Sequence, residues 1–191
     1  LFPTDLFTEL GYSGVYVSGQ KAYNGVAIVS RFPLKNIETK QWCKSSDERH
    51  LRATLPHDID LHNFYIPAGG DDPDAQTNPK FAEKLRFYSE MAEWFRSFAI
   101  GNKRILVGDL NVAPAKADVW CHRKMQRVVS HTPLEIQHYQ EAFHSHDWVD
   151  AIRSQRDLQT KIFTWWSYRS LDWKKTNKGR RLDHIWITES L

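Results

Sequence analysis

Residues 103–114 read KRILVGDLNVAP, and the fold is decided there. The short apolar run Ile105–Val107 predicts a fully buried strand of the kind found in sheet cores. It ends at Gly108, and Asp109 and Asn111 follow two residues apart. In an extended segment their side chains leave on the same side. One carboxylate and one amide are thus presented at the mouth of a strand, where a rigid scaffold commonly carries its chemistry. Asp and Asn also punctuate ordinary turns, so the pair alone does not decide function.

Immediately upstream, Phe81, Leu85, Tyr88, Met91, Ala92, Phe95 and Phe98 keep a 3.6-residue beat, with Asn78 as N-cap, Pro79 at N1 and Gly101 as the stop. Ahead of this helix lie an acidic, Pro-containing loop, Asp71–Pro79, and two expected strands, Arg52–Leu55 and Leu61–Ile66, closed by Pro67-Ala68-Gly69-Gly70. Further back, Val15–Ser18 and Val26–Ser30 form an expected hairpin whose turn carries Asn24-Gly25, and Pro3–Leu10 reads as a short helix ending at Gly11. Downstream, Thr132-Pro133-Leu134-Glu135 is a capping box that starts a helix running towards His144. Phe163–Trp166 and Leu182–Thr188 are the last expected strands. One long helix before a central strand, with strands outnumbering helices, points to a single α/β domain over residues 1–191.

Of the 191 residues, 41% are apolar and 26% charged, so the chain can bury a sizeable core. No stretch approaches the ~20 apolar residues of a membrane span, and no membrane partner is expected. A net charge of +3 requires any polyanion to be met by a local patch. Cys43 and Cys121 are too few for a disulfide framework, which makes a reducing cytoplasm the expected location. The chain opens on Leu1 inside a helix-like segment and stops at Leu191 after a strand-like run, so sequence is expected to be missing at both ends.

Three further features accompany Asp109 and Asn111. Tyr65 ends a strand, where its phenol could donate to a phosphate oxygen or simply stay wet. Asp183 shares a strand face with Ile185 and, deep in a strand, needs a partner: either a structural cation or a histidine that it orients. The stretch 161–181 interleaves Trp165, Trp166, Tyr168 and Trp173 with Arg169, Lys174, Lys175, Lys178, Arg180 and Arg181. Basic groups suit phosphates and flat rings suit bases or sugars, a pairing that favours nucleic acid over a plain solvated loop. His144, His146 and Asp147 have a chelating spacing, but no cysteine or further histidine completes a zinc site nearby, and a solvent-exposed helix end is expected.

GDLN after an apolar strand, FYIPAGG before it, YNGVAIVSRFPL near the start and FTWWSYRS…NKGRRLDHIWIT near the end occur in the order seen in exonuclease III-type AP endonucleases. The chain resembles that family, part of the endonuclease/exonuclease/phosphatase superfamily, over its whole length. The resemblance implies a DNase I-like two-sheet α/β sandwich flanked by helices, here incomplete at both ends. It also implies a Mg²⁺ or Mn²⁺ ion, a monomer, and duplex DNA with abasic sites or 3′ ends as substrate. The implied activities are cleavage 5′ to abasic sites and removal of nucleotides from 3′ ends.

By the same resemblance Tyr65 is the active-site tyrosine, Asp109 activates the attacking water, Asn111 holds the phosphate or a metal-bound water, and Asp183 buttresses a histidine. Asp109 and Asn111 are the implied metal contacts. Trp165 and Leu182 wall a sugar pocket, and Arg180 stands where some relatives have an aromatic. Asn24 and Gly25 lie along the DNA backbone. From the basic and aromatic stretch 161–181 itself, Tyr168, Arg169, Lys178 and Arg181 are further expected DNA contacts. Ala68 replaces an amide that the family carries after YxP. The family's metal-binding glutamate and an asparagine precede Leu1 in this register, and an SDH motif follows Leu191, so residues 1–191 alone are expected to bind Mg²⁺ poorly and be close to inactive. A small-molecule or phosphoinositide phosphatase of the same fold and a non-catalytic DNA-binding module are the two alternatives.

Overall fold

The computed structural model describes residues 2–191. In chain order these form α1 (Thr4–Glu9), β1 (Gly14–Gly19), β2 (Gly25–Ser30), β3 (Lys35–Thr39), β4 (His50–Leu55), β5 (Ile59–Tyr65), α2 (Pro79–Arg96), β6 (Arg104–Asp109), α3 (His122–Met125), α4 (Pro133–Phe143), β7 (Trp148–Asp150), β8 (Trp165–Trp166), α5 (Trp173–Thr176), β9 (Gly179–Arg180) and β10 (Asp183–Thr188). Six strands make one sheet in the order β3-β4-β5-β6-β10-β7, and β1 and β2 make a separate hairpin. Only β5 and β6 pair in parallel, a connection that two strands cannot make by a tight turn; α2 makes it.

Alternation assigns the two faces of the sheet. Phe64 of β5, Leu106 of β6 and Trp186 of β10 are buried on one face against Phe87, Tyr88, Met91 and Phe95 of α2 and Tyr139 of α4. On the other face, Leu61 and Tyr65 of β5 pack with Leu51 and Ala53 of β4 under Val26 and Ile28 of the hairpin. The result is a two-sheet sandwich with helices on its outer side. Capping explains where the helices begin: Asn78 accepts from the Lys80 amide (3.1 Å), and Thr132 and Glu135 cap one another's backbone. The uniformly exposed β3, with Lys35 and Glu38 along it, has no apolar alternation and was not expected; it forms the charged edge of the sheet. The strand expected over Phe163–Trp166 shrinks to its last two residues.

His146 overturns one expectation. It is buried, bonded to the Arg104 guanidinium (3.3 Å), and its Nδ1 accepts from the Asp147 amide (2.9 Å), so His146 packs inward while His144, at the end of α4, is exposed as expected.

Two other imidazoles, His50 and His62, stack in the core with His50 Nε2 and His62 Nδ1 3.2 Å apart, between Trp94, Phe64 and Phe95. Burial, reinforced by Arg52 and Lys40, holds His50 near pKa 3, and burial with His50, Arg52 and Arg104 holds His62 well below its usual value. Unfolding lets both protonate near pH 6.5, so their stability contribution is intact above that pH and is lost as pH falls towards 3. Each should cost about 2 kcal/mol between pH 6.5 and 5. Urea midpoints at pH 7.5 and 5 should show this slope, and His50→Leu/His62→Leu should flatten it; an unchanged slope in the variant would contradict the assignment.

Candidate active site

Three functional side chains fall on one row because of register. Tyr65 at the end of β5 is the partner of Asp109 at the end of β6, and Asp109 is in turn the partner of Asp183 at the start of β10. Partners in neighbouring strands project from the same face, so the phenol and both carboxylates stand side by side where β6 ends. Gly108 makes the row possible. A Cβ there would lie 1.9 Å from the Phe64 carbonyl oxygen, and its φ of +136° suits glycine alone.

Beyond the row the chain turns at Asn111, which takes a left-handed φ of +54°, a conformation that asparagine tolerates. Its amide N–H donates to Asp109 Oδ1 (3.0 Å) and its side-chain Nδ2 to the Ile66 carbonyl (2.9 Å), leaving Oδ1 free of any protein donor among the described residues. Tyr65, Asp109, Asn111, Trp165, Arg180 and Leu182 line one cavity of about 320 Å³. The two carboxylates on adjacent strands repel, and Asp109 is also withdrawn from water. Burial first and Asp183 second raise its pKa to about 6, against the lowering effect of the Asn111 amide. Asp183 itself is exposed rather than deep in the strand as expected, because the hairpin does not extend over β10.

The loops of the cavity are held from behind by a buried ion pair that sequence reading missed. Lys84 Nζ donates to Glu135 Oε1 (2.5 Å), to the Asn111 carbonyl (2.7 Å) and to the Ala68 carbonyl (3.2 Å). Glu135 also accepts from the Ser130 and Thr132 amides and the Thr132 hydroxyl. One cation and one carboxylate thus join α2, α4 and three loops. The capping box exposed only part of this network: Glu135 was legible as a cap, but its partner Lys84 hid within an amphipathic helix.

The remaining expected contacts divide. Tyr168, Arg169 and Lys178 are exposed, on or beside the loop that carries α5. Arg181 corrects the expectation of a DNA contact: it is 1% exposed, ion-paired with Asp118 and Asp150 and bonded to His184, in the two-residue link between β9 and β10, which packs inward. Asn24 is likewise buried in the hairpin turn, where it accepts from the Glu48 amide (3.0 Å). With Gly25 it lines a different cavity, of about 580 Å³, that has no carboxylate in its wall.

The sequence model of the Endonuclease/Exonuclease/phosphatase family matches residues 2–191. The chain belongs to that family. This endonuclease/exonuclease/phosphatase domain is similar to exodeoxyribonuclease III of Haemophilus influenzae, at 26% identity over 202 residues covering the whole chain and 73% of that protein. Its fold matches an AP endonuclease from Archaeoglobus fulgidus with a TM-score of 0.86 and 26% identity, covering 98% of this chain and 70% of that one. It also matches a 3′ phosphatase from Neisseria bound to a product DNA hairpin, with a TM-score of 0.86 and 28% identity over 99% of this chain and 71% of that one. The DNase I-like sandwich implied by the sequence motifs is therefore the fold observed.

The donors at the row are hard oxygens: two carboxylates and one free amide oxygen. They fit Mg²⁺ or Mn²⁺, ions that accept one or two carboxylates and keep several waters, and do not fit zinc. No cluster of three His, Cys, Asp or Glu side chains suited to a metal occurs among the described residues.

Two measurements check this geometry. A ¹³C NMR titration should place the Asp109 carboxyl near pH 6, and Asp183→Asn should lower it; an unmoved midpoint would break the pairing of the two carboxylates. Lys84→Met should destabilise the protein by roughly 3–5 kcal/mol, because it strands the Glu135 carboxylate in the core. Lys84→Met/Glu135→Leu should lose less than the single change in urea denaturation.

Proposed function

We propose that the protein is a Mg²⁺-dependent DNA-repair phosphodiesterase that cuts the backbone 5′ to abasic sites and removes nucleotides from 3′ ends of duplex DNA. The observation that carries this reading is the row of Tyr65, Asp109 and Asp183 beside Asn111, opening on a cavity walled by Trp165 and Leu182.

In-line hydrolysis of a phosphodiester needs a base for water, donors for the phosphate oxygens, and relief of growing negative charge. Asp109 is the proposed base, since a carboxylate with a pKa near 6 accepts a proton better than an ordinary one and is still ionised at neutral pH. Its activity should therefore rise with pH through this value. Tyr65 donates its hydroxyl to a phosphate oxygen. Asn111, whose Nδ2 is already committed to Ile66, offers its Oδ1 and, with Asp109, would hold the metal. Bound there, a divalent cation would neutralise the charge that develops on the phosphate and the leaving oxygen. Asp183 tunes Asp109 and is available to orient a histidine. The exposed Tyr168, Arg169 and Lys178 suit the sugar-phosphate backbone on either side.

Asp109→Asn should lower Mg²⁺-dependent cleavage of an abasic duplex by about 10²–10⁴-fold while duplex binding persists. Because it also removes a carboxylate that ionises at a cost, the same change should stabilise the fold at pH 7 by roughly 2–3 kcal/mol. Faster turnover of an inositol phosphate than of the abasic duplex would favour a phosphatase, and unchanged behaviour of the variant would favour a non-catalytic binder.

A further inference from the structure

Two adjacent arginines at the end of the β8–β9 ribbon are treated in opposite ways. Arg181 is neutralised in the core by Asp118 and Asp150. Arg180 stands in the wall of the cavity, and no carboxylate comes within 4.0 Å of it among the described residues.

Its head group is nevertheless fixed. Nη1 donates to the Val129 carbonyl (3.1 Å) and to Ser130 Oγ (2.9 Å), and the guanidinium carbon lies 5.3 Å from the centroid of the Trp165 ring. Nε and Nη2 have no protein acceptor, yet neither is among the buried unpaired atoms, so both remain accessible. Burial pulls the pKa of Arg180 below the usual guanidinium value, although an arginine stays charged throughout. The cavity therefore contains an immobilised, partly desolvated cation with spare donors, in the same wall as Trp165 and Leu182. Asp71 and Asp109 lie in the cavity lining as well, beyond salt-bridge reach of it.

We propose that Arg180 is a specificity-determining residue that makes this cavity prefer a 3′-terminal phosphomonoester of DNA over the uncharged sugar of an abasic site. The inference rests on the nuclease reading above and names the substrate class that the same site favours. In both substrates the bond that breaks joins phosphorus to the 3′ oxygen. A water oxygen forms the new bond to phosphorus, and the 3′ oxygen departs with the bonding pair and takes up one of the water's protons. With a terminal phosphate the products are a 3′ hydroxyl and inorganic phosphate. With an internal phosphate, one of the three oxygens that do not react is the 5′ ester oxygen, which continues into the abasic sugar.

That continuation is where the guanidinium matters. A terminal phosphate carries a second negative charge and an unesterified oxygen, which a planar pair of N–H donors can engage. A deoxyribose offers only neutral oxygens and an apolar ring, so facing it would desolvate the cation without a counter-charge.

The test is steady-state kinetics of the protein on two duplexes of one sequence, one nicked with a 3′ phosphate and one carrying a tetrahydrofuran abasic-site analogue. The wild type should show the higher kcat/KM on the 3′ phosphate. Arg180→Ala should lower kcat/KM for the 3′ phosphate about 10- to 100-fold more than for the abasic duplex, mainly through KM, and weaken inhibition by inorganic phosphate. Arg180→Lys should recover only part of the difference. Equal losses on both duplexes would overturn the proposal, since a residue that merely braces Val129 and Ser130 predicts just that, and so would a wild-type preference for the abasic duplex. Either result leaves the nuclease reading standing, whereas cleavage of neither duplex by the wild type overturns both.

Discussion

The active-site row depends on how closely β5 and β6 approach at residue 108. The Phe64 carbonyl occupies the space in which any other residue would carry a Cβ. That contact sets the parallel register, and the register places Tyr65 beside Asp109. With β10 antiparallel on the other side of β6, Asp183 completes the row. Two carboxylates are thereby forced together at a partly dry edge, which by itself is unfavourable. Burial first and the neighbouring Asp183 second accordingly raise the pKa of Asp109 to about 6.

A second constraint operates behind the row. Asn111 sits at positive φ and the 66–70 segment has no regular structure, so neither would hold its place through its own backbone. Lys84 and Glu135 supply the missing restraint: besides bonding each other, Lys84 holds two loop carbonyls and Glu135 holds the Ser130 and Thr132 amides. Buried ion pairs contribute little net stability relative to apolar residues, but they fix geometry because one partner cannot be satisfied elsewhere. Here the pair ties two helices on one face of the sheet to the loops that shape the cavity. Arg180 extends the same arrangement outward through Val129 and Ser130, which precede the helix that Glu135 caps.

Much of this was legible in the sequence where a local rule acts alone. Pro at N1 with an Asn or Thr cap located α2 and α4, and Gly-Asp after an apolar run located the end of β6. Family motifs implied that Tyr65, Asp109, Asn111 and Asp183 converge; strand register sets Tyr65, Asp109 and Asp183 side by side, and Asn111 joins Tyr65 and Asp109 in one cavity wall. The misreadings share a cause: burial of charge is a tertiary property. Arg181 belongs to a basic run yet is buried in the link between β9 and β10, where Asp118 and Asp150, distant in sequence, meet it. His146 looks like a polar helix end until Arg104 arrives from β6. Asp183 is exposed because the hairpin that covers β4 and β5 stops short of β10. Such partners leave no periodic trace.

The proposed function puts DNA at the mouth of β5, β6 and β10 and not at the larger cavity beside the hairpin turn. Titration of the ¹⁵N-labelled protein with a short duplex in the presence of Mg²⁺ tests it directly. Amide shifts should concentrate at residues 65–70, 109–111, 128–130 and 180–183. Shifts confined to residues 17–27 around the hairpin, with the row silent, would contradict it.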